Sequence, residues 1–187
     1  MKRMQEMKLL TIEHSKFTYF TDFAIYLAAV VVLPLLLFRQ APSSIRESLV
    51  LAVLAGLAIW SAIEYAMHRL VFHGFEPFQR MHGEHHRRPH ALIATPTVLS
   101  LAMIAGLFWL PAALLTGRWI GSAATLGLTA GYLFYGIVHH ALHHWQARGA
   151  WMRRCKRRHA IHHRSPHVNY GVTMLWWDLV FRTLKES

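Results

Sequence analysis

The stretch His82-Gly83-Glu84-His85-His86 is the one around which the rest of the chain is organised. On a helix, imidazoles at positions i, i+3 and i+4 share one face, and that arrangement suits metal binding. The segment His159-Ala160-Ile161-His162-His163 repeats the same spacing 77 residues later. Two further clusters complete the set: His68 with His73, and His139-His140 with His143-His144. This recurrence predicts a metal centre assembled from four parts of the chain.

The histidines are too numerous for a dry core. Twelve of the 15 lie in the four clusters, and each imidazole brings a donor and an acceptor that need partners. Ten are placed for ligation: His68, His73, His82, His85, His86, His139, His143, His159, His162 and His163. Because one structural zinc ion takes about four ligands, ten imidazoles are enough for two metal ions. Iron, zinc and copper all bind imidazole, so the spacing alone does not name the metal.

His68 and His73 do not fit a regular helix. Five residues rotate the chain by about 500°, so the two side chains do not share a face. Both can bind the same centre only if the helix ends or unwinds between them, and Gly74 favours an ending. Glu64 lies one helical turn before His68 and is a candidate to orient that imidazole through its second ring nitrogen.

Two residues near the end of the chain are candidates for supporting the centre. His167 follows the last cluster within four residues, so it can line the site or orient a ligand. Asp178 lies in an apolar aromatic segment, where an unpaired carboxylate is costly. We therefore expect Asp178 to pair with an arginine or with a metal-bound histidine.

Composition points to a membrane protein. The chain is 54% hydrophobic yet carries a formal charge of +11, and its apolar residues come in long runs rather than at amphipathic spacing. These features favour a multi-pass membrane protein over a nucleic-acid binder. The single cysteine, Cys155, excludes an intramolecular disulfide and a cysteine-rich zinc site. We predict an all-α protein with about four transmembrane helices in two hairpins: residues 18–38, 48–66, 96–115 and 119–138.

Charge predicts the orientation of the four spans. Both termini, residues 67–94 and residues 139–187 then share one side of the membrane, and 17 of the 20 lysines and arginines lie there. By the positive-inside rule that side is cytosolic, at a bacterial inner membrane or the endoplasmic reticulum. The same topology gathers every histidine cluster at one face. We predict a single domain, residues 1–187, with a cytosolic histidine-rich helical cap formed by 67–94 and 139–187.

The spacings resemble those of a known superfamily. The shared motifs are Glu64-Tyr65-x-x-His68-Arg69-x-x-Phe72-His73, His82-x-x-His85-His86-x-x-Pro89, His139-x-x-x-His143-His144, His159-x-x-His162-His163, Asn169-Tyr170-Gly171-Val172-Thr173 and Trp177-Asp178-x-x-Phe181-x-Thr183. Together they resemble the fatty acid hydroxylase / sterol desaturase superfamily, and within it the membrane domain of ceramide and fatty acid 2-hydroxylases. The match covers roughly residues 60–184.

The resemblance implies a di-iron centre that activates O2 and inserts oxygen into a C–H bond of a lipid, with the ten histidines as ligands. Zinc can replace iron in an isolated protein, because it binds imidazole at least as well as Fe(II). His140 falls where these hydroxylases usually have tyrosine, and His144 belongs to the motif without having to ligate; both are candidates for a supporting role. Arg182 replaces a usual glycine.

Partners follow from the same resemblance. The 187 residues contain no cytochrome b5-like domain, so we expect a separate electron donor such as cytochrome b5 or a ferredoxin. A lipid with its tail in the membrane and its headgroup at the cytosolic face places a carbon near the headgroup at the metals, which favours 2-hydroxylation. Sterol or carotenoid hydroxylation and lipid desaturation remain alternatives. So does a non-catalytic metal-binding membrane protein, although the apolar middle of the spans argues against ion transport.

Overall fold

The computed structural model describes residues 13–186, and within that range it contains helices and turns but no β-strand. The predicted all-α class is therefore confirmed. The position predicted for the N-terminus falls on residues 1–12, which lie outside the described residues.

Within residues 13–186 the fold consists of eight α-helices and two π-helical stretches. They are α1 (Lys16–Gln40), α2 (Arg46–Ala66) with the π turn Met67–Phe72, α3 (Phe78–Arg87), α4 (Thr97–Met103) with the π segment Ile104–Trp109, α5 (Leu110–Thr116), α6 (Arg118–His144), α7 (Ala150–Arg164) and α8 (Trp176–Val180). A 3₁₀ turn, Ser43–Ile45, precedes α2.

In the part of the chain that the structure describes, four helical stretches are long and apolar enough to cross a membrane, as predicted: Lys16–Gln40, Ser43–Phe72, Thr97–Thr116 and Arg118–His144. The second and fourth continue well past the predicted apolar runs, because the backbone stays helical after the side chains change to histidine. This continuation carries the histidines of the π turn and of α6 to the same end of the bundle. The chain is an integral membrane protein.

Helix α6 is the central helix of the bundle. It packs against α1, α2 and α5, and its contact with α2 is the closest. A Cβ added at Gly127 would lie 1.9 Å from the carbonyl oxygen of Val53, and one added at Gly56 would lie 1.9 Å from that of Ala124. Such close approach of two backbones requires that one of the two residues has no side chain, as in many membrane helix pairs.

The third span is interrupted by the π segment Ile104–Trp109. It lies just before Pro111, which has no N–H and whose ring crowds the carbonyl of Leu107 four residues earlier. The i→i+5 bonding of a π segment accommodates that interruption without ending the span.

The close contact between α2 and α6 can be tested with a single methyl group. We expect Gly127→Ala to destabilise the protein by about 3 kcal/mol, because the added Cβ forces the two helices apart. Gly106→Ala is the matched control, since a Cβ there meets no atom within 4 Å. Thermal unfolding in detergent measures both. Equal melting temperatures for the two variants would contradict the packing described.

Candidate metal centre

The ten histidines predicted as ligands lie in two groups of five. The first group is His68, His73, His82, His86 and His162; the second is His85, His139, His143, His159 and His163. In each group one nitrogen from every residue lies within 4.8 Å of the corresponding nitrogens of the other four. The imidazoles are buried or half-buried, so each group forms a pocket lined by nitrogen atoms.

The distances within the groups match those of a metal site. In the first group, Nε2 of His82 lies 3.0 Å from Nε2 of His68 and 3.0 Å from Nε2 of His86. A single N–H on His82 can satisfy only one of these two neighbours. Two nitrogens bound at about 2.1 Å and at right angles to each other are about 3.0 Å apart, so a metal ion satisfies all three.

The second group has the same spacing. Nε2 of His159 lies 2.8 Å from Nε2 of His143 and 3.1 Å from Nε2 of His163. Nε2 of His85 and of His139 is buried and has no hydrogen-bond partner among the described residues. The residues present therefore fit a pair of metal ions, one in each group.

Each HxxHH segment serves both groups. On α3, His82 and His86 belong to the first group and His85 to the second; on α7 the division is reversed. The i, i+4 pair of a helix thus faces one pocket and the intervening i+3 residue faces the other. The two pockets are adjacent, with the ring of His86 stacked on that of His163 at a centroid distance of 4.3 Å.

The π turn explains how His68 and His73 join one group. The helix unwinds at Met67–Phe72, as one of the two predicted alternatives requires. In a π turn the hydrogen bonds run from i to i+5, so residues five apart lie almost above one another. Nε2 of His73 consequently faces the first group and lies 3.2 Å from Nε2 of His162.

Backbone carbonyls orient two ligands of the first group. His68 donates from Nδ1 to the carbonyl of Tyr170 at 2.5 Å, and His162 donates from Nδ1 to that of Val168 at 2.8 Å. Because a carbonyl only accepts, both rings must carry their proton on Nδ1, which leaves Nε2 free to bind a metal. Sequence patterns cannot reveal these partners, since a backbone carbonyl belongs to every residue.

Two buried carboxylates hold the segment that carries these carbonyls. Asp178 accepts from the N–H groups of Tyr170 and Gly171 at 2.9 and 2.8 Å and from the hydroxyl of Thr183 at 2.7 Å. The next two N–H groups, at residues 172 and 173, donate to Glu64, each at 2.8 Å. The hydroxyl of Thr173 also donates to Glu64. Four consecutive backbone N–H groups thus donate hydrogen bonds to two carboxylates.

These contacts correct two expectations from the sequence. Glu64 does not reach the second nitrogen of His68, because the Tyr170 carbonyl occupies that position. Asp178 pairs with backbone N–H groups and a hydroxyl rather than with an arginine or a histidine. Both carboxylates are therefore connected to the candidate ligands through the backbone.

The tail motif also shows why its other residues are needed. Asn169 adopts φ 56°, which asparagine tolerates, and its side chain bonds the N–H and C=O of Lys185 at 2.7 and 2.8 Å. A Cβ at Gly171 would lie 2.0 Å from the carbonyl oxygen of Met174. Arg182 also has φ 56°. Glycine adopts such a left-handed backbone at no steric cost, which explains why the related pattern usually has glycine at this position.

Burial keeps the imidazoles neutral. Burial first, together with neighbouring imidazoles, lowers the pKa of His85 to about 2, of His86 and His162 to about 3, and of His73 to about 4. The pKa values of His82 and His159 are lowered for the same two reasons. A neutral ring has a free lone pair, so these residues are ready to bind metal at neutral pH.

Three candidates for a supporting role lie outside both groups. His140 and His144 stack on each other at a centroid distance of 4.4 Å, and Nδ1 of His140 lies 3.2 Å from the hydroxyl of Tyr19. His144 and His167 are exposed. None of the three hydrogen-bonds to one of the ten histidines within the described residues, so no contact assigns them the predicted orienting role.

Two adjoining cavities lead from the metal centre into the bundle. The first, of about 120 Å³, reaches His82, His85 and His139 and is lined by aromatic and polar side chains of α1 and α6. The second, of about 70 Å³, lies among α2, α4, the π segment and α6 and is almost entirely apolar. The two share Phe72, Phe78, Thr95, Tyr132 and Tyr135. A slot for a lipid between the spans is expected from the sequence, but the sequence does not indicate which residues line these cavities.

Comparison with known proteins agrees with this geometry. Residues 53–183 match the family model described as fatty acid hydroxylase. The chain belongs to the fatty acid hydroxylase family. The resemblance seen in the histidine motifs is thus confirmed at the level of the superfamily.

Individual relatives fall in the same family. A dihydroceramide fatty acyl 2-hydroxylase of Arabidopsis thaliana is 32% identical over 145 residues, covering 72% of this chain and 60% of the relative. A ceramide very long chain fatty acid hydroxylase of Schizosaccharomyces pombe is 34% identical over 142 residues, covering 68% and 40%. This member of the fatty acid hydroxylase family therefore spans less than two thirds of either relative.

A solved structure has the same fold. It is that of full-length scs7p, in which only the hydroxylase domain is visible, and it superposes with a TM-score of 0.76 at 24% identity. The superposition covers 91% of this chain and 68% of the other.

Adjacent histidines at the end of α6 provide a matched test of the second group. We expect His143→Ala to weaken the binding of one metal ion by about tenfold or more, and His144→Ala to leave both ions bound, because only His143 belongs to a group. Metal content after dialysis against a chelator, measured by mass spectrometry, distinguishes them. Equal losses in the two variants would contradict the grouping.

A second test concerns the carboxylate that acts through the backbone. Asp178→Asn replaces an acceptor with an NH2 group and so sets a donor against a backbone N–H, which displaces the Tyr170 carbonyl from His68. We expect the first group to lose metal while the second keeps it. Glu76→Gln, at an exposed position, is the control. Full metal content in Asp178→Asn would show that the segment does not depend on this carboxylate.

Proposed function

We propose that this chain is a membrane lipid hydroxylase that inserts one oxygen atom of O2 at carbon 2 of a fatty acyl chain. The observation that carries the proposal is the placement of two five-histidine groups at the end of a cavity between the helices, in a member of the fatty acid hydroxylase family. The relatives named above as 2-hydroxylases support the position on the acyl chain.

The ten histidines would hold two iron ions, His68, His73, His82, His86 and His162 one ion and the other five the second. When bound, the iron pair supplies the redox chemistry that reduces O2 and inserts oxygen into a C–H bond. The residues of the chain contribute geometry: neutral imidazoles with their lone pairs aligned, and carbonyls that fix the tautomers of His68 and His162.

Selectivity for one carbon comes from positioning, since aliphatic C–H bonds offer no acidic proton to recognise. The apolar second cavity suits an acyl tail, with Trp60, Met103 and Phe108 among its walls. The first cavity suits the polar end of the lipid and touches His85 and His139. A lipid lying across both would place a carbon close to its headgroup beside the metals.

Electrons would come from a separate donor such as cytochrome b5 or a ferredoxin, on the side of the histidine cap. The excess of lysine and arginine on that side supports a cytosolic position for the cap. Helix α7 supports this arrangement. It presents Arg153, Arg154 and Arg157 on its exposed surface and bears His159, His162 and His163 at its other end. An acidic carrier docked there would lie near the metals.

In this proposal the chain is a single domain with both termini in the cytosol.

Lipid mass spectrometry of cells that express the chain tests the proposal. We expect lipids that gain one oxygen atom in cells with the intact protein and none with the His85→Ala, His86→Ala double variant, which removes one ligand from each group. Fragmentation of the product should locate the oxygen at carbon 2. His144→Ala is the control, because that histidine is exposed and outside both groups.

The other outcomes separate the alternatives. Loss of two hydrogen atoms from a lipid would identify a desaturase, and an oxygen atom on a sterol or carotenoid would identify a different substrate. No change in any lipid, with an electron donor supplied and both metals bound, would favour a non-catalytic metal-binding protein.

A further inference from the structure

One carboxylate oxygen in the first cavity has no hydrogen-bond partner. Oδ1 of Asp22 is buried and accepts no hydrogen bond from any described residue, and it is the one carboxylate oxygen among them in that condition. Asp22 lies on α1 and lines the same cavity as His85 and His139. An ionisable side chain inside a membrane span is costly and usually serves a function.

Three neighbours of Asp22 already have other hydrogen-bond partners. The hydroxyl of Tyr26 bonds that of Ser100 at 2.7 Å, and the hydroxyl of Tyr19 lies 3.2 Å from Nδ1 of His140. His14, which acts on Asp22 electrostatically, has its Nε2 bonded to the carbonyl of Ala94 at 3.0 Å. Thr97 lies close to the carboxylate, but no described residue donates a hydrogen bond to Oδ1. Of these groups, Oδ1 of Asp22 is the one buried acceptor without any hydrogen bond.

The order of the groups along the cavities suggests what fills this position. The acceptor of Asp22 lies in the first cavity, candidate metal ligands such as His85 and His139 line that same cavity, and the second, apolar cavity adjoins it. A lipid with its tail in the apolar cavity would bring its polar end toward Asp22. A free fatty acid would place a second carboxylate beside Asp22, which is unfavourable in surroundings of low dielectric constant.

We propose that Asp22 is a specificity-determining residue, which accepts a hydrogen bond from an N–H or O–H group close to the oxidised carbon and so selects an amide-linked lipid over the free acid. This inference rests on the proposed function, because it concerns the substrate of that same site. Buried acceptors that bind a substrate donor discriminate strongly against molecules without it, since the acceptor is then left unpaired.

Three lipids with the same acyl chain test the assignment: an N-acyl amino alcohol, the free fatty acid and its methyl ester. Each is supplied to membranes that contain the full chain with an electron donor, and 2-hydroxylated products are quantified by mass spectrometry. We expect wild-type kcat/KM for the amide to exceed that for the ester by about tenfold or more. Asp22→Leu should remove that preference.

Asp22→Asn makes the test sharper, because it keeps an acceptor and removes the charge. We expect it to retain the preference for the amide over the ester and to gain activity on the free acid. Thr21→Val is the matched control: Thr21 is next to Asp22 on α1 but lines neither cavity, so wild-type product ratios are expected. Metal content checks that each variant is folded.

The outcomes separate two kinds of failure. If wild type oxidises none of the three lipids, the proposed function fails and the inference fails with it. If wild type is active and a folded Asp22→Leu shows the same product ratios, only the role of Asp22 is refuted. Should Asp22→Leu not fold, an unchanged ratio of acid to amide products in Asp22→Asn refutes that role equally.

Discussion

The arrangement of the metal centre depends on how four consecutive backbone N–H groups are satisfied. Residues 170–173 donate to the carboxylates of Asp178 and Glu64, one from the C-terminal segment and the other from a membrane span. Buried carboxylates are tolerated only when such donors surround them. These hydrogen bonds fix the backbone whose Tyr170 carbonyl orients His68. The second span and the C-terminal segment are therefore joined next to this histidine.

The two groups of histidines are not independent structures. Helices α3 and α7 each supply both groups, so a rotation of either helix would displace ligands in both pockets together. The π turn has the opposite effect, because it lets one short stretch supply two ligands to the same pocket. Because the two groups share these helices, the distance between the two candidate metal sites depends on how rigidly the helices of the cap are held. Hydrogen bonds to backbone carbonyls are found at His68 and His162 of the first group.

Sequence alone predicts much of this structure. Apolar runs reveal the four spans, and the repeated spacing identifies all ten histidines that converge, because both signals reside in side chains at regular intervals. The division of His82, His85 and His86 between two groups depends on the angle at which helices meet, which spacing does not encode. The prediction that Glu64 orients His68 is wrong for a related reason. The second nitrogen of His68 is bonded to a backbone carbonyl, and every residue has such a carbonyl, so the sequence does not show which one is the partner.

Asp22 illustrates a different limit. The position of this carboxylate near the start of an apolar run predicts a residue at the membrane surface. Nothing in the sequence indicates that it lies close to histidines more than 60 residues away. In the fold, α1 packs on α6 and brings Asp22 and His139 to one cavity. The cost of an unpaired carboxylate there is a physical reason to expect a donor from outside the chain. Since no described side chain donates to Oδ1, the polar end of a bound lipid is the partner that the cavity best accommodates.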